Sequence, residues 1–224
     1  MINRLRRAPQ PLADHPLRAM FAARKDVFID LLKWDLPILA GAYEVDQFDD
    51  VHARYLILMD GGRHRASARL LRTDRPHLLG ALFPFLCDGP VPTGPTIREI
   101  TRFCLDRNQT AASRRSARNQ LVTGLAEFAL REGITDYIGF ADVNWFAQIE
   151  RFGWRCRALG DPVCFGRDTL VALHIEIDEA TIDGLKATGT FARPTFNLID
   201  EEWMGNDHVP SDDIAAVDPI PVLV

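Results

Sequence analysis

The chain has 224 residues, of which 47% are hydrophobic and 25% charged, and its formal net charge is −5. That balance belongs to a folded globular chain and excludes a disordered or collagen-like one. The negative charge argues against bulk nucleic-acid binding, and no apolar run approaches the roughly 20 residues of a membrane span. Residues 16–33, PLRAMFAARKDVFIDLLK, bring Met20, Val27, Phe28 and Leu31 near helical spacing, which predicts an amphipathic helix ending before Pro37. Residues 42–50 read as irregular and acidic. RYLILMD and HRASARLL flank Gly61-Gly62, a β-hairpin signal. Residues 75–95 are rich in Pro and Gly and predict loop, with one short helix around LLGALFPFL.

TIREITRFCLD follows. Read with period two, Ile97, Glu99, Thr101, Phe103 and Leu105 face one way, and Arg98, Ile100, Arg102 and Cys104 the other. Polar groups on both faces are unusual for a strand and give the first hint of function. Residues 114–131 carry a helical stripe of Leu121, Leu125, Phe128 and Ala129, stopped by Gly133. DYIGFADV predicts a strand, NWFAQIERF a helix ending at Gly153, and TLVALHIEI a further strand. The alternation predicts an α/β fold, a mixed sheet with helices on both faces. One domain is expected over residues 1–204, with a Pro- and Asp-rich tail at 205–224. The basic N-terminus lacks an apolar stretch, so no signal peptide is expected and a cytoplasmic chain follows. Cys87, Cys104, Cys156 and Cys164 form no C-x-x-C pair and no paired histidines stand at zinc spacing, so buried thiols and no metal are expected.

Three clusters stand out: Arg24, Phe28 and Trp34 with Asp46 and Asp49; Arg69; and Glu99, Thr101, Arg102 and Phe103. Each has a plain structural reading. Arg24 fits a solvated helix position, the two aromatics fit a core, and the aspartates fit loop caps. Arg69 fits a strand-end charge, and Glu99 with Arg102 fits an ion pair. Taken together they suit one kind of ligand. Carboxylates hold an ammonium, arginines hold a carboxylate in bidentate fashion, and aromatic faces attract a positive centre.

In this order the residues resemble the acyl-homoserine-lactone synthases, the autoinducer synthases of bacterial quorum sensing. The resemblance runs through Arg24, Val27-Phe28 and Trp34, then E-x-D-x-x-D at Glu44, Asp46 and Asp49. Arg69-Leu70 and the stretch Arg72–Asp74 follow. Then comes Glu99-Ile100-Thr101-Arg102-Phe103, similar to the family's E-[IL]-[ST]-R-F. Arg151-Phe-Gly-Trp154 and Leu159-Gly-x-Pro162 complete it, so that the likeness covers about residues 18–178.

The resemblance implies a sheet of the GNAT acetyltransferase type, splayed to admit a phosphopantetheine thioester. It implies S-adenosylmethionine and an acyl thioester as substrates, and N-acyl-homoserine lactone, methylthioadenosine and a free thiol as products. No cofactor is implied, since S-adenosylmethionine is a substrate. Asp46 and Asp49 would bind the S-adenosylmethionine side, Asp49 taking the ammonium. Phe28 and Trp34 would close over the adenosyl and sulfonium portion, next to Arg102 and Phe103. Arg24, Arg69 and Arg102 would position the methionine carboxylate or hold the acidic groups. Glu99 would be the general base, acting through a water. The strand DYIGFADV would line the acyl pocket, with Thr101, Phe103, Leu121, Leu125 and Asp142.

Asp142 falls where the family often carries a small hydroxyl residue. Either the register slips, Asp142 turns away, or the acyl group is polar, branched or aromatic. Arg114, Arg115 and Arg118, with Arg107 just ahead, would meet a pantetheine phosphate or coenzyme A, or form a solvated basic face. Arg151, Arg155 and Arg157 would dock an acidic acyl-carrier protein. A monomer is expected, and the sequence leaves the donor open between acyl-carrier protein and acyl-CoA. Two other readings remain: an N-acyltransferase of the same fold acting on another amine, and a non-catalytic acyl-carrier-binding module.

Overall fold

The computed structural model describes residues 16–202. The basic N-terminal residues 1–15 and the expected tail at 205–224 lie outside the described residues. The described chain forms two compact units. One holds residues up to Ala68, Arg102–Arg118 and from Thr195 on; the other holds Arg69–Thr101 and Asn119–Pro194.

The first unit opens with α1, Pro16–Arg24, whose buried positions Leu17, Met20, Phe21 and Arg24 follow helical spacing. Arg24 therefore occupies the last position of an apolar stripe. The expected helix over 16–33 does continue, but Lys25–Leu31 winds as a π-helix. The Trp34 N–H then returns to the Phe28 carbonyl at 2.9 Å. Strands β1 (Ile38–Leu39) and β2 (Tyr43–Glu44) pair antiparallel inside the stretch expected to be irregular.

Strand β3, Arg54–Asp60, leads through Gly61-Gly62 into β4, Arg63–Arg72. Both glycines have positive φ, +54° and +77°, as the tight two-residue turn of a twisted hairpin requires. Tyr55 to Met59 are all buried, so both faces of this strand are covered. The order in this unit is β10–β3–β4–β5, with β10 (Asn197–Glu202) antiparallel on β3 and β5 running from Ile97 to Leu105. The sequence gives no warning of β10. NLIDEE has no apolar alternation and becomes a strand through its partner.

The second unit carries the rest of β4, then α2 (Leu78–Leu82) and a 3₁₀ turn at Pro84–Leu86, where one short helix was expected. Strand β5 is Ile97–Leu105 and β6 is Asp136–Asp142, parallel to it. A parallel pair needs a crossover, and the 22-residue α3, Ala111–Glu132, supplies it. Gly139 lets β6 approach β5: a Cβ there would lie 2.8 Å from the Ile100 carbonyl oxygen. Helix α4, Val143–Ile149, and a 3₁₀ turn end at Gly153 with φ +100°.

Strands β7 (Arg155–Ala158) and β8 (Val163–Phe165) both pair with β9, Asp168–Glu176, which is antiparallel to β6. Helix α5, Thr181–Ala187, follows. β7, β8 and α5 are short and partly exposed, and no periodicity marks them. The order here is β4–β5–β6–β9–β7. The mixed sheet with helices agrees with the α/β expectation. Among the described residues no helix is long and apolar enough to cross a membrane. Buried thiols were expected, but only Cys104 is buried; Cys164 is exposed and Cys87 and Cys156 are half-buried. Burial pushes the Cys104 thiol up to about 12.

Candidate active site

In the first unit, five charged side chains meet below the π-helix. Arg24 donates from Nη1 and Nη2 to the two oxygens of Asp49, both at 2.8 Å, and from Nε to Glu44. Arg102 donates to Glu44 at 3.0 Å and to Asp46 at 2.7 Å through Nη2. Burial opposes the charge on Arg24, yet Asp49 and Glu44 outweigh it and hold the guanidinium protonated well above its ordinary value. The Tyr55 hydroxyl donates to Asp49 at 2.7 Å, and the Asp46 N–H donates to Asp49 at 2.8 Å. The Phe48 N–H donates to Asp46 at 2.8 Å. Formally these are three carboxylates against two guanidiniums, an arrangement with room for one more positive charge.

The aromatics stand on this base. Phe28 and Trp34 stack at 5.0 Å with planes 6° apart, and the Arg102 guanidinium lies 5.8 Å from the Phe28 ring centre. Phe28 is buried, whereas Trp34 is 41% exposed. The stack follows from the local backbone. The wide π-turn and the positive φ of Lys33, 61°, fold Trp34 back over Phe28.

The structure thus brings Arg24, Phe28, Trp34, Asp46, Asp49 and Arg102 together. It corrects the role expected of Asp49: both of its oxygens are engaged by Arg24, Tyr55 and the Asp46 N–H. It also corrects the solvated reading of Arg24, which is fully buried. Sequence reasoning gave no role to Glu44 or Tyr55. Glu44 joins the two arginines, and Tyr55 was detectable as a tyrosine in an apolar strand whose hydroxyl needs a buried partner.

In the second unit, Glu99 is fully buried on β5, and its Oε1 accepts from the Leu79 N–H at 2.9 Å. Arg69, buried on β4, donates from Nε to the Thr101 hydroxyl at 2.9 Å. Along β5 the buried residues are Glu99, Thr101 and then Cys104. The step of three falls at Arg102, whose φ is +50°. Period two therefore breaks there, and Phe103 is out of phase with Glu99 and Thr101.

Leu121 and Leu125 are fully buried on α3, and the Leu125 carbonyl accepts from the Tyr137 hydroxyl at 3.0 Å. On β6, Phe140 packs against Phe83 at 4.6 Å, within a cluster that includes Leu79, Leu86 and Ile138. Asp142, placed in the acyl pocket by sequence, caps α4 instead: its Oδ1 accepts from the Asn144 N–H and side-chain amide, both at 2.9 Å. A short polar side chain at a helix start favours this bond over an apolar wall.

Arg114, Arg115 and Arg118 lie on the early turns of α3. Burial and the like charge of Arg115 lower Arg118, so an anion here would relieve the repulsion. Arg151 and Arg157 are exposed, but Arg155 is engaged by Glu176 at 3.0 Å and Asp178 at 2.8 Å.

The pattern of the autoinducer synthase family matches residues 11–185. The chain belongs to the autoinducer synthase family. It is 30% identical over 190 residues to an acyl-homoserine-lactone synthase of Agrobacterium fabrum, covering 81% of this chain and 89% of that protein. It is 33% identical over 180 residues to one of Ralstonia nicotianae, covering 76% and 87%. Among solved structures, the CoA-dependent acyl-homoserine lactone synthase BjaI, with SAM and isopentyl-CoA, is 26% identical with a TM-score of 0.71 over 77% of this chain and 82% of that one. TofI, in a ternary complex with an inhibitor and MTA, is 30% identical with a TM-score of 0.66 over 80% and 92%. The chain is accordingly an acyltransferase of autoinducer synthesis on a GNAT-like α/β sheet, as its motifs imply.

Proposed function

We propose that this autoinducer synthase transfers an acyl group from a thioester to the amine of S-adenosylmethionine and then closes the lactone. The observation that carries the reading is the buried set Arg24, Glu44, Asp46, Asp49 and Arg102 beneath the Phe28–Trp34 stack. It offers an excess carboxylate and an aromatic face to a ligand bearing an ammonium and a sulfonium. Cation–π attraction contributes about 0.5–2 kcal/mol, more as water leaves. S-adenosylmethionine is the substrate, and no cofactor takes part.

Glu99 is the proton acceptor in this reading, through a water. The ammonium must lose one proton before its nitrogen can attack the thioester carbonyl. The tetrahedral intermediate then collapses, the C–S bond breaks, and the thiolate leaves with a proton. In the second step a methionine carboxylate oxygen attacks the carbon beside the sulfonium. The ring closes and methylthioadenosine departs with the C–S electron pair. Positioning is the main requirement there, because the sulfonium is already a good leaving group.

Arg69 on β4 and Thr101 on β5, bonded to each other, would order the thioester side together with Phe103, Leu121 and Leu125. Arg114, Arg115 and Arg118 would meet the phosphate of the donor, whether coenzyme A or acyl-carrier protein, and the enzyme would act as a cytoplasmic monomer. The test is incubation with S-adenosylmethionine and a panel of acyl thioesters, half on coenzyme A and half on carrier protein. Mass spectrometry is expected to find N-acyl-homoserine lactone and methylthioadenosine in equal amounts. Thioester consumption without methylthioadenosine would reassign the chain to another amine acceptor.

A further inference from the structure

His77 stands just ahead of α2 and is buried, 3% exposed. Its Nδ1 lies 2.9 Å from the Arg75 carbonyl oxygen. A carbonyl oxygen only accepts, so Nδ1 is the donor and the ring orientation is fixed. The Nε2 atom is buried with no hydrogen-bond partner among the described residues. A buried polar atom left in that state costs stability, so the ring is poor filler for this place.

The opposite side of the ring is closed by Gly80. A Cβ on Gly80 would fall 2.6 Å from His77 Cε1 and 2.7 Å from Nε2. Ring and glycine therefore fit only as a pair. Leu79 lies between them, and its N–H donates to Glu99 Oε1 at 2.9 Å. Leu79 is itself fully buried against Leu86 and Ile138, which leaves the peptide little freedom of its own.

We propose that His77 is a positioning residue for the Glu99 carboxylate: its side-chain N–H, bonded to the Arg75 carbonyl, sets the Leu79 N–H that holds Glu99, and its ring fits there only because residue 80 is glycine. The catalytic consequence rests on reading Glu99 as the proton acceptor; the positioning does not. Other titratable or charged groups stand on the surrounding strands: Arg63, His64, Arg65, Arg69 and Arg72 on β4, Arg98, Arg102 and Cys104 on β5, and Asp136, Tyr137 and Asp142 on β6; none of them is changed in the test.

The experiment is a carbon-13 NMR titration of the Glu99 side-chain carboxyl, identified by its loss in Glu99→Gln. A bond from Leu79 N–H favours the charged carboxylate, so its loss raises the titration midpoint. His77→Leu and Gly80→Ala are each expected to raise it by about one pH unit, a tenfold change in the proton equilibrium. His77→Asn keeps a donor where Nδ1 stood and removes the atoms that Gly80 faces. It is expected to titrate as the wild type does, and to tolerate Gly80→Ala without a further shift. Far-UV circular dichroism checks each fold, and if His77→Leu fails to fold, the Asn and Ala pair carries the test.

Wild-type titration in folded His77→Leu would overturn the proposal. So would a Gly80→Ala shift that is equally large in the Asn background. Neither readout needs substrate, so a wild-type enzyme that made no lactone would sink the synthase reading and leave the titration standing. With activity present, kcat is expected to fall in His77→Leu, and the acid limb of the pH–rate profile to move by the same amount as the NMR midpoint.

Discussion

Arg24 holds Asp49 with both terminal nitrogens, each 2.8 Å from a carboxylate oxygen, and neither side chain has any exposed surface. Removing one partner of such a pair leaves the other charge buried, which costs about 3–5 kcal/mol. Arg24→Ala is expected to lose that much in urea unfolding. Arg24→Lys keeps the charge but cannot make the fork. It is expected to remain folded while KM for S-adenosylmethionine rises about tenfold, because Asp49 and Glu44 are no longer fixed. A Lys variant with wild-type KM would show that the fork serves stability alone.

Trp34 stacks on Phe28 from the solvent side and contributes little to the core. Trp34→Ala is therefore expected to leave the melting temperature within about 2 °C, since surface changes cost little stability. Affinity for S-adenosylmethionine, measured calorimetrically, should weaken by roughly 5–30-fold, the range of one desolvated cation–π contact. Trp34→Phe should recover most of it. Equal losses in both variants would mean that the indole N–H, rather than its ring face, makes the contact.

Glu99→Gln keeps an oxygen to accept from the Leu79 N–H and removes the carboxylate. Folding should be retained. Turnover should fall by about 10²–10⁴, the usual contribution of a positioned base, with KM for S-adenosylmethionine changed less than threefold. A binding module would show no turnover to lose. An enzyme whose turnover survived Glu99→Gln would need another proton acceptor.

The large elements were legible because their periodicity is long: the hairpin around Gly61-Gly62, the stripe on α3 and the strands β6 and β9 all stand where the pattern put them. The charged cluster was legible as residue types in order, but not as bonds. Sequence cannot tell that Asp49 faces Arg24 and Tyr55 rather than a ligand, since that choice depends on partners 25 and 6 residues away. Arg24 did leave one sign, a charged residue at the end of the Leu17, Met20, Phe21 stripe, where burial is the rule. The positive φ of Arg102 left none, because a single left-handed residue changes the phase of a strand without changing its composition. Asp142 misled for a related reason. A residue that ends a strand also begins the next helix, and the cap won.

His64 gives the fold a pH dependence of its own. It is buried on β4, with Nε2 2.8 Å from the Ser67 hydroxyl, and burial lowers it from 6.5 to about 4. Nearby Asp106 opposes the shift without reversing it. Because the folded value is the lower one, the unfolded chain binds the extra proton between these pH values. Stability is therefore full above about pH 6.5 and declines as pH falls toward 4, by about 3 kcal/mol at most. Urea unfolding at pH 7 and pH 4.5 should show the loss in wild type. His64→Gln, which does not titrate there, should remove most of the difference. An unchanged difference would assign the acid sensitivity to the carboxylates.

Phe83 offers a way to read acyl selectivity. Its ring lies 4.6 Å from Phe140 on β6 and meets Phe165 edge-on at 5.5 Å. The strand expected to line the acyl pocket, DYIGFADV, is β6, and on that expectation these rings bound the space left for the chain. Phe83→Ala removes a half-buried ring, which should cost less than the roughly 3–5 kcal/mol of a fully buried one. The opened volume should admit a longer or bulkier acyl group, each added methylene gaining up to about 0.8 kcal/mol when fully buried. In a competition between two thioesters differing by two methylenes, the product ratio should move toward the longer one by up to about fifteenfold. Phe85 is the control: it packs on the same cluster but is 50% exposed, so Phe85→Ala should move the ratio much less. An unchanged ratio in Phe83→Ala, with the protein folded and active, would place the end of the acyl chain away from Phe140 and return selectivity to Leu121 and Leu125 on α3.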